Sequence, residues 1–346
     1  MSRLKRFLTV LVTLMFSLAA QAGSHINILV YHHVSENTPA STSVSPAQFR
    51  EHLQLLQDNG FNVVDLESTL AQLQRGETVP DNAVAITFDD GYHNIYDNAW
   101  PLLKTFNFPF TVFVATDAID QQYSDMMSWD QLRDMHQAGV TIANHSSDHG
   151  YLVRHQPRDE QWLTSTIANI EHAQERLEEE LGSGVPKWLA YPYGEFSDAL
   201  AERLQTLNYT AFAQHSGGVW SGSDFQAIPR FAAAGIYANP KTLLTKLQSR
   251  PMPVDEAQVS DMVTTQSRPE LVATLVERND FAKALNCFVD GAWQDSSWPS
   301  DLTFRVQSDT DLGEGRHRYN CTAKARSGDF YYWYSKPWLI YGQQDR

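Results

Sequence analysis

Apolar positions along this chain recur with two different periods. INILVY, beginning at Ile26, is a short, mostly apolar run that ends on two adjacent histidines, His32 and His33. Short runs of this kind then alternate with stretches whose apolar residues return every three to four positions, the signatures of strand and helix. The first helix is the most explicit. Ser45 caps it, Pro46 takes the first helical position, Gln48 completes a capping box, and Phe49, Leu53 and Leu56 form the buried stripe. Gly60 stops it, and FNVVDL (61–66) reads as a strand. AVAITF (83–88), FPFTVFVAT (108–116), VTIAN (140–144), KWLAYP (187–192) and TAFAQ (210–214) read as further strands. Helices are expected through Leu102 and Leu103, over WDQLRDMHQAG with Ser128 as cap and Gly139 as stop, over about 159–181, and over DALAERLQTLN.

Strands alternating with helices imply parallel pairing through crossovers. The fold class expected is therefore α/β: an irregular, closed or nearly closed (β/α)7–8 barrel over residues 23–250, with a doubly wound open sheet as the alternative. In either architecture chemistry gathers at the C-terminal ends of the strands. Beyond Pro251 the pattern changes. Residues 251–270 are polar with scattered Pro, Ser and Gln and read as a linker. Residues 271–346 hold short β-like runs (LVATLVE, NCFVDG, LTFRVQS, HRYNCTAKA, FYYWYSK, WLIYG) and read as a small all-β, sandwich-like domain.

The N-terminus adds a destination. Arg3, Lys5 and Arg6 precede an apolar run from Phe7 to Ala20 and an Ala20-Gln21-Ala22 cleavage site, so residues 1–22 read as a signal peptide. The run is shorter than the roughly 20 residues a membrane-spanning helix needs, so no stable span is expected in the mature protein. The expected location is the periplasm or the outside of the cell. Residues 1–22 carry three positive charges and no negative ones, which moves the formal net charge from −15 to −18. A surface so acidic argues against nucleic acid and anionic lipid as partners, and better suits a neutral polymer or one that becomes cationic. In an oxidising compartment the two cysteines, Cys287 and Cys321, read as one disulfide. A zinc site built on them is the weaker reading, because neither lies in a C-x-x-C pair.

Three strand ends carry candidate chemistry. TFDDG (87–91) closes a buried strand on Asp89 and Asp90, two adjacent carboxylates whose repulsion a cation would relieve. Alone, DDG is an ordinary turn. VTIANHSSDHG puts His145 and His149 just past another strand, four residues apart, so that both imidazoles can reach one point. Two histidines and one carboxylate leave a coordination position open on a divalent metal ion, as catalytic sites do. LAYPYGEF (189–196) ends a third strand in a Gly-containing turn where a backbone N–H could face an oxyanion.

Taken together, these stretches resemble the polysaccharide deacetylases of carbohydrate esterase family four, the NodB-homology proteins. TFDDG is similar to their first motif, HSSDH to their H-[ST]-x-x-H second motif, and YPYG to the end of their third, in the same order across residues 26–248. The resemblance implies Asp90, His145 and His149 as ligands of one divalent ion, Zn2+ being expected. It implies Asp89 as general base and Tyr193 as donor of an oxyanion N–H. Two departures stand out. Ala190 occupies the place of an Arg that usually braces the base, for which Arg230 in AIPRF is the candidate substitute. No L-x-x-H motif, which usually supplies the acid, follows the third motif. In the branch resembling the biofilm poly-β-1,6-N-acetylglucosamine deacetylases a Y-H-x-[VI] segment precedes TFDDG, and Tyr31-His32-His33-Val34 fits it. His32 is thus the expected general acid, and His33, alternating to the other strand face, is expected to be structural.

The activity so implied is release of acetate from an N-acetylated polysaccharide. Two alternatives remain at this point: a deacetylase-like barrel kept for glycan binding, favoured only by Ala190, and an O-acetyl esterase. Trp129, Trp220 and the run Phe330–Tyr334 are candidate sugar-stacking groups, although each fits core packing as well.

Overall fold

The computed structural model describes residues 24–277 and 280–342. The expected signal peptide, 1–22, lies outside the described residues. Among those described, no helix is long and apolar enough to cross a membrane.

Seven strands carry the first part of the chain: β1 His25–Tyr31, β2 Ala83–Phe88, β3 Thr111–Val114, β4 Thr141–Asn144, β5 Trp188–Ala190, β6 Thr210–Phe212 and β7 Gly218–Trp220. They lie in the order β7-β1-β2-β3-β4-β5-β6. All neighbours are parallel except β7, which runs antiparallel to β1. The segment after β7 links the two edges. Ile228 bridges Phe212 of β6, and Phe231–Ala232 pairs in parallel with β1. The sheet is thereby curled into an irregular barrel, as the alternation of strands and helices implies.

Period-2 alternation sorts its side chains. Leu29, Tyr31, Val84, Ile86 and Phe88 face outward into a core shared with the surrounding helices. Ile26, Ile28, Ala83, Ala85, Phe113, Ala143, Trp188, Ala190 and Phe212 face inward and fill the barrel. The helices start where their caps predict. Ser45 accepts from the Gln48 amide in a complete capping box at α1 Pro46–Asp58, and Ser128 does the same with Gln131 at α2 Trp129–Gln137. Each such cap is worth about 1 kcal/mol. The long charged helix is α3, Glu160–Leu181, capped by Asp159.

Some details differ from expectation. FNVVDL contributes only Asn62–Val63 to the sheet, because its Asp65 is used instead to cap the helix Leu66–Gln74. Residues 251–270 are not a free tether. Arg250–Pro251 and Val263–Thr264 both pair with a late strand, and Met252, Val254 and Met262 are buried.

The C-terminal part is a two-layer β domain. β8 Phe281–Val289, β9 Gly315–Ala325 and β10 Tyr331–Ile340 form the body of a six-stranded sheet. A three-stranded sheet of Glu270–Thr274, Thr303–Gln307 and Ser296–Ser297 faces it. FYYWYSK and WLIYG, read as two runs, are one strand, β10. Leu271, Phe304, Val306, Tyr319 and Trp338 fill the core between the layers. Cys287 and Cys321 are directly opposite one another in β8 and β9 and form a disulfide, their Cα atoms 4.1 Å apart.

Candidate active site

The alternation that fills the barrel continues past the strand ends and selects what reaches its mouth. In β1, Ile26 and Ile28 point inward, so His32 keeps the inward phase and His33 the outward one. In β2 the same rule carries Ala83, Ala85 and Thr87 to Asp89. In β4 it carries Ala143 to His145, and in β6 it carries Phe212 to Gln214.

Asp89 is fully buried and held by Arg230, itself fully buried. Two guanidinium nitrogens of Arg230 donate to the two carboxylate oxygens at 2.7 and 2.8 Å. Arg230 Nε donates to the Ala213 carbonyl at 2.9 Å and Nη1 to Thr87 Oγ1 at 3.2 Å. The cation rests on the barrel's aromatic floor, 5.3 Å from the Phe113 ring centroid. Burial alone would raise the Asp89 carboxyl; Arg230, with help from His145 and His32, outweighs it and holds the group below its ordinary range. Gln214, which the motifs did not single out, donates to Asp89 Oδ2 at 3.3 Å. Its position at an inward-phase strand end was the available signal.

Asp90 leaves the strand direction, with φ of 76°. Its Oδ1 lies 3.1 Å from His145 Nε2 and 3.1 Å from His149 Nε2. One ligand atom from each of these three residues lies within 4.8 Å of the others. Although the distances are short, Asp90 Oδ1 and His145 Nε2 are buried without a partner in hydrogen-bonding geometry. Buried polar atoms left in this way are open to an ion or a water. His145 Nδ1 donates to the Ala190 carbonyl at 2.7 Å, so its proton sits there and the Nε2 lone pair is free to ligate. Two imidazoles and a carboxylate suit a first-row divalent ion, and the three side chains could hold one. Burial pushes the Asp90 carboxyl up, but the imidazoles of His145 and His149 outweigh it and hold it well below the usual carboxylate range.

The loops that do this are strained. Asp90, Ser146, His149 and Tyr193 are four of the nine described non-glycine residues with positive φ. Left-handed backbone costs such residues of order 1–3 kcal/mol each, and it concentrates at functional sites. Side chains hold the second loop in shape. Asn144 Oδ1 accepts from the Ser146 amide at 2.7 Å, and Ser146 Oγ accepts from the His149 amide at 3.1 Å. In the third loop Gly194 is obligatory, because a Cβ there would stand 2.6 Å from Gln214 Cβ. Tyr193 stacks on Tyr151 at 4.3 Å between centroids and meets the His149 ring edge-on at 4.8 Å. Glu195 is buried and gripped by both forks of Arg154, at 2.6 and 2.9 Å.

The two leading histidines part company. His33 is buried, accepts from Asn94 Nδ2 at 3.0 Å, and stacks on Tyr92 at 3.8 Å. His32 is half-buried, and its field lowers the carboxyl groups of both Asp89 and Asp90. Trp129 and Trp220 are not brought to this site. The Trp129 indole donates to Asp120 at 2.8 Å under Arg176, and Trp220 lies in β7 beside Gly222. The Phe330–Tyr334 run divides, with Tyr332 and Tyr334 in the sandwich core and Tyr331 and Trp333 on the opposite face.

Comparison with known proteins adds a family likeness. Residues 76–212 match the family model described as polysaccharide deacetylase. The chain is 27% identical over 181 residues to the poly-beta-1,6-N-acetyl-D-glucosamine N-deacetylase of Staphylococcus aureus, covering 51% of this chain and 62% of that protein. It is 24% identical over 258 residues to the Escherichia coli protein of the same name, covering 63% of this chain but 38% of the relative. It thus spans less than two thirds of the length of either. In fold it is similar to the Streptococcus pyogenes deacetylase PplD in complex with acetate, with TM-score 0.58, 23% identity, and coverage of 65% of this chain and 99% of the other.

Proposed function

We propose, from the premise that this chain carries a polysaccharide deacetylase domain, that it removes N-acetyl groups from a polymer of N-acetylglucosamine and releases acetate. What supports the reading most is one juxtaposition: a convergent Asp90, His145 and His149 set beside a carboxylate, Asp89, that has its own dedicated cation. A binding protein has no use for that second carboxylate. The Ala190 departure loses its force, since Arg230 approaches Asp89 from the segment just before Phe231–Ala232 and Ala190 serves His145 through its carbonyl.

In this account Asp90, His145 and His149 hold one divalent ion, Zn2+ by expectation. When bound, such an ion polarises a carbonyl and brings the pKa of water from 15.7 towards about 7. Asp89 accepts the proton of the attacking water, and Arg230 fixes its orientation and keeps it ionised beforehand. The Tyr193 N–H donates to the oxygen of the acetamide carbonyl as negative charge develops there. His32 donates a proton to the departing amine nitrogen, a poor leaving group that needs one. The cross-strand disulfide supports an exported protein.

The test is acetate release from β-1,6-linked N-acetylglucosamine oligomers, chitin oligomers and an O-acetylated glycan. The account expects turnover of an N-acetyl substrate, silencing by a chelator, recovery with Zn2+, and loss of at least about 100-fold in kcat for Asp89→Asn and His32→Ala. Wild-type turnover in Asp89→Asn would remove the base. Activity on O-acetyl groups alone would replace the amidase reading with an esterase one.

A further inference from the structure

The mouth of the barrel is walled on one side by the β domain, and strand alternation decides which side chains form the wall. Leu285, Cys287 and Val289 of β8 and Tyr319, Cys321 and Ala323 of β9 point into the sandwich core. Their neighbours must therefore point away from it. Registry places Asn286, Thr322 and Trp333 in one cross-strand row, and Phe288, Asn320 and Ser335 in the next. This face meets Tyr193 and Gln214 of the barrel rim across a groove of about 970 Å3. Such a volume is at the upper end of small-molecule pockets, roughly 300–1,000 Å3, and exceeds what one sugar ring needs.

The chemistry of the wall is amphipathic. Phe288 remains 37% exposed, although an aromatic ring on an ordinary sheet face is normally covered. Amide side chains stand beside it. Rings that stack on the C–H face of a sugar, next to amides that bond hydroxyl and acetamide groups, suit a neutral glycan. The charge balance adds a preference. Lys246, Arg316 and Arg318 line the groove with one carboxylate, Asp290, which is already engaged by His317 at 2.6 Å and by the Arg318 amide at 2.9 Å. A deacetylated glucosamine unit is cationic near neutral pH, and this lining repels it.

We propose that the groove between barrel and β domain binds the stretch of N-acetylated glycan flanking the sugar being processed, and discriminates against stretches already deacetylated. This rests on the deacetylase reading above, but the binding residues are separate from Asp89, Asp90, His145 and His149.

The experiment measures acetate release by the full chain on oligomers of increasing length, with deacetylated and acetylated oligomers as competing inhibitors. Phe288→Ala should raise KM for long oligomers about three- to tenfold and leave kcat/KM for the disaccharide unchanged, and Phe288→Trp should restore the long-chain KM. Deacetylated oligomers should inhibit the wild-type chain more weakly than acetylated ones of equal length. No acetate release by the wild-type chain on any substrate would overturn the deacetylase reading itself. Given an active wild type, an unchanged KM at every length in Phe288→Ala would overturn the groove. An equal loss on short and long substrates would also overturn it, since that is the mark of a structural residue. Equal inhibition by both oligomers would overturn the preference for acetylated chain.

Discussion

The barrel rim and the β domain solve opposite problems. At the rim, short parallel strands end in loops whose backbone is bent into the left-handed region at Asp90, Ser146, His149 and Tyr193. In the β domain, long antiparallel ladders run unbroken over ten paired positions between β9 and β10 and are stapled by Cys287–Cys321. Strain is concentrated where ligands must converge, and regularity where a flat wall is needed. The contrast teaches that the rim is held from outside as well as from within. Arg316 of β9 donates to the Tyr193 carbonyl at 2.7 Å, and Arg318 donates to the Gln214 carbonyl at 3.0 Å.

The largest effect should come from breaking the rim's own brace. Arg230→Met leaves the Asp89 carboxylate buried and unpaired, which costs about 3–5 kcal/mol. Its melting temperature should fall by many degrees, and acetate release should be lost together with it. A variant that melts with the wild type would show that the pair contributes nothing to the rim. A smaller effect should follow from cutting the outside brace. Arg316 is half-exposed, so Arg316→Ala should leave melting unchanged and lower kcat by less than about tenfold, through the Tyr193 turn. A wild-type kcat would mean that the turn holds itself.

The smallest effect concerns the junction of the two regions. Burial, against the opposing pull of Lys336 and the Tyr334 hydroxyl, pushes the Glu256 carboxyl up to about 7. The folded protein thus binds this proton more tightly than the unfolded chain does. The stabilisation so gained is complete below the ordinary carboxyl range and is lost as pH rises through about 7. Glu256→Gln should melt with the wild type at pH 4 and above it at pH 8, by a few degrees. A pH-independent difference would contradict this.

Much of the rim was legible because it is local. Each motif stands at the end of a run whose apolar phase already points into the barrel, and period-2 counting carries that phase to His32, Asp89 and His145. The caps at Ser45 and Ser128 were equally readable. Gln214 was one step further along the same counting and went unnamed because no motif marks it. The pairing of the AIPRF segment with β1, and strand β7, are not legible for a different reason: they are short, turn-rich, and paired only through the curl of the sheet. Residues 251–270 read as a linker because their buried side chains, Met252, Val254 and Met262, are few and are scattered among Pro, Ser and Gln. Arg316 and Arg318 could not have been read at all, since their partners lie more than 100 positions away in sequence.

The central claim is that Asp90, His145 and His149 grip one cation. Calorimetric titration of the chelator-stripped full chain with Zn2+ tests it directly, with His149→Ala as the control because that ring is partly exposed and can be cut without opening the core. The account predicts one equivalent bound by the wild-type chain, release of protons on binding, and an affinity at least about 100-fold weaker in the variant. A wild-type chain that binds no divalent ion, or a variant that binds it equally well, would contradict the account.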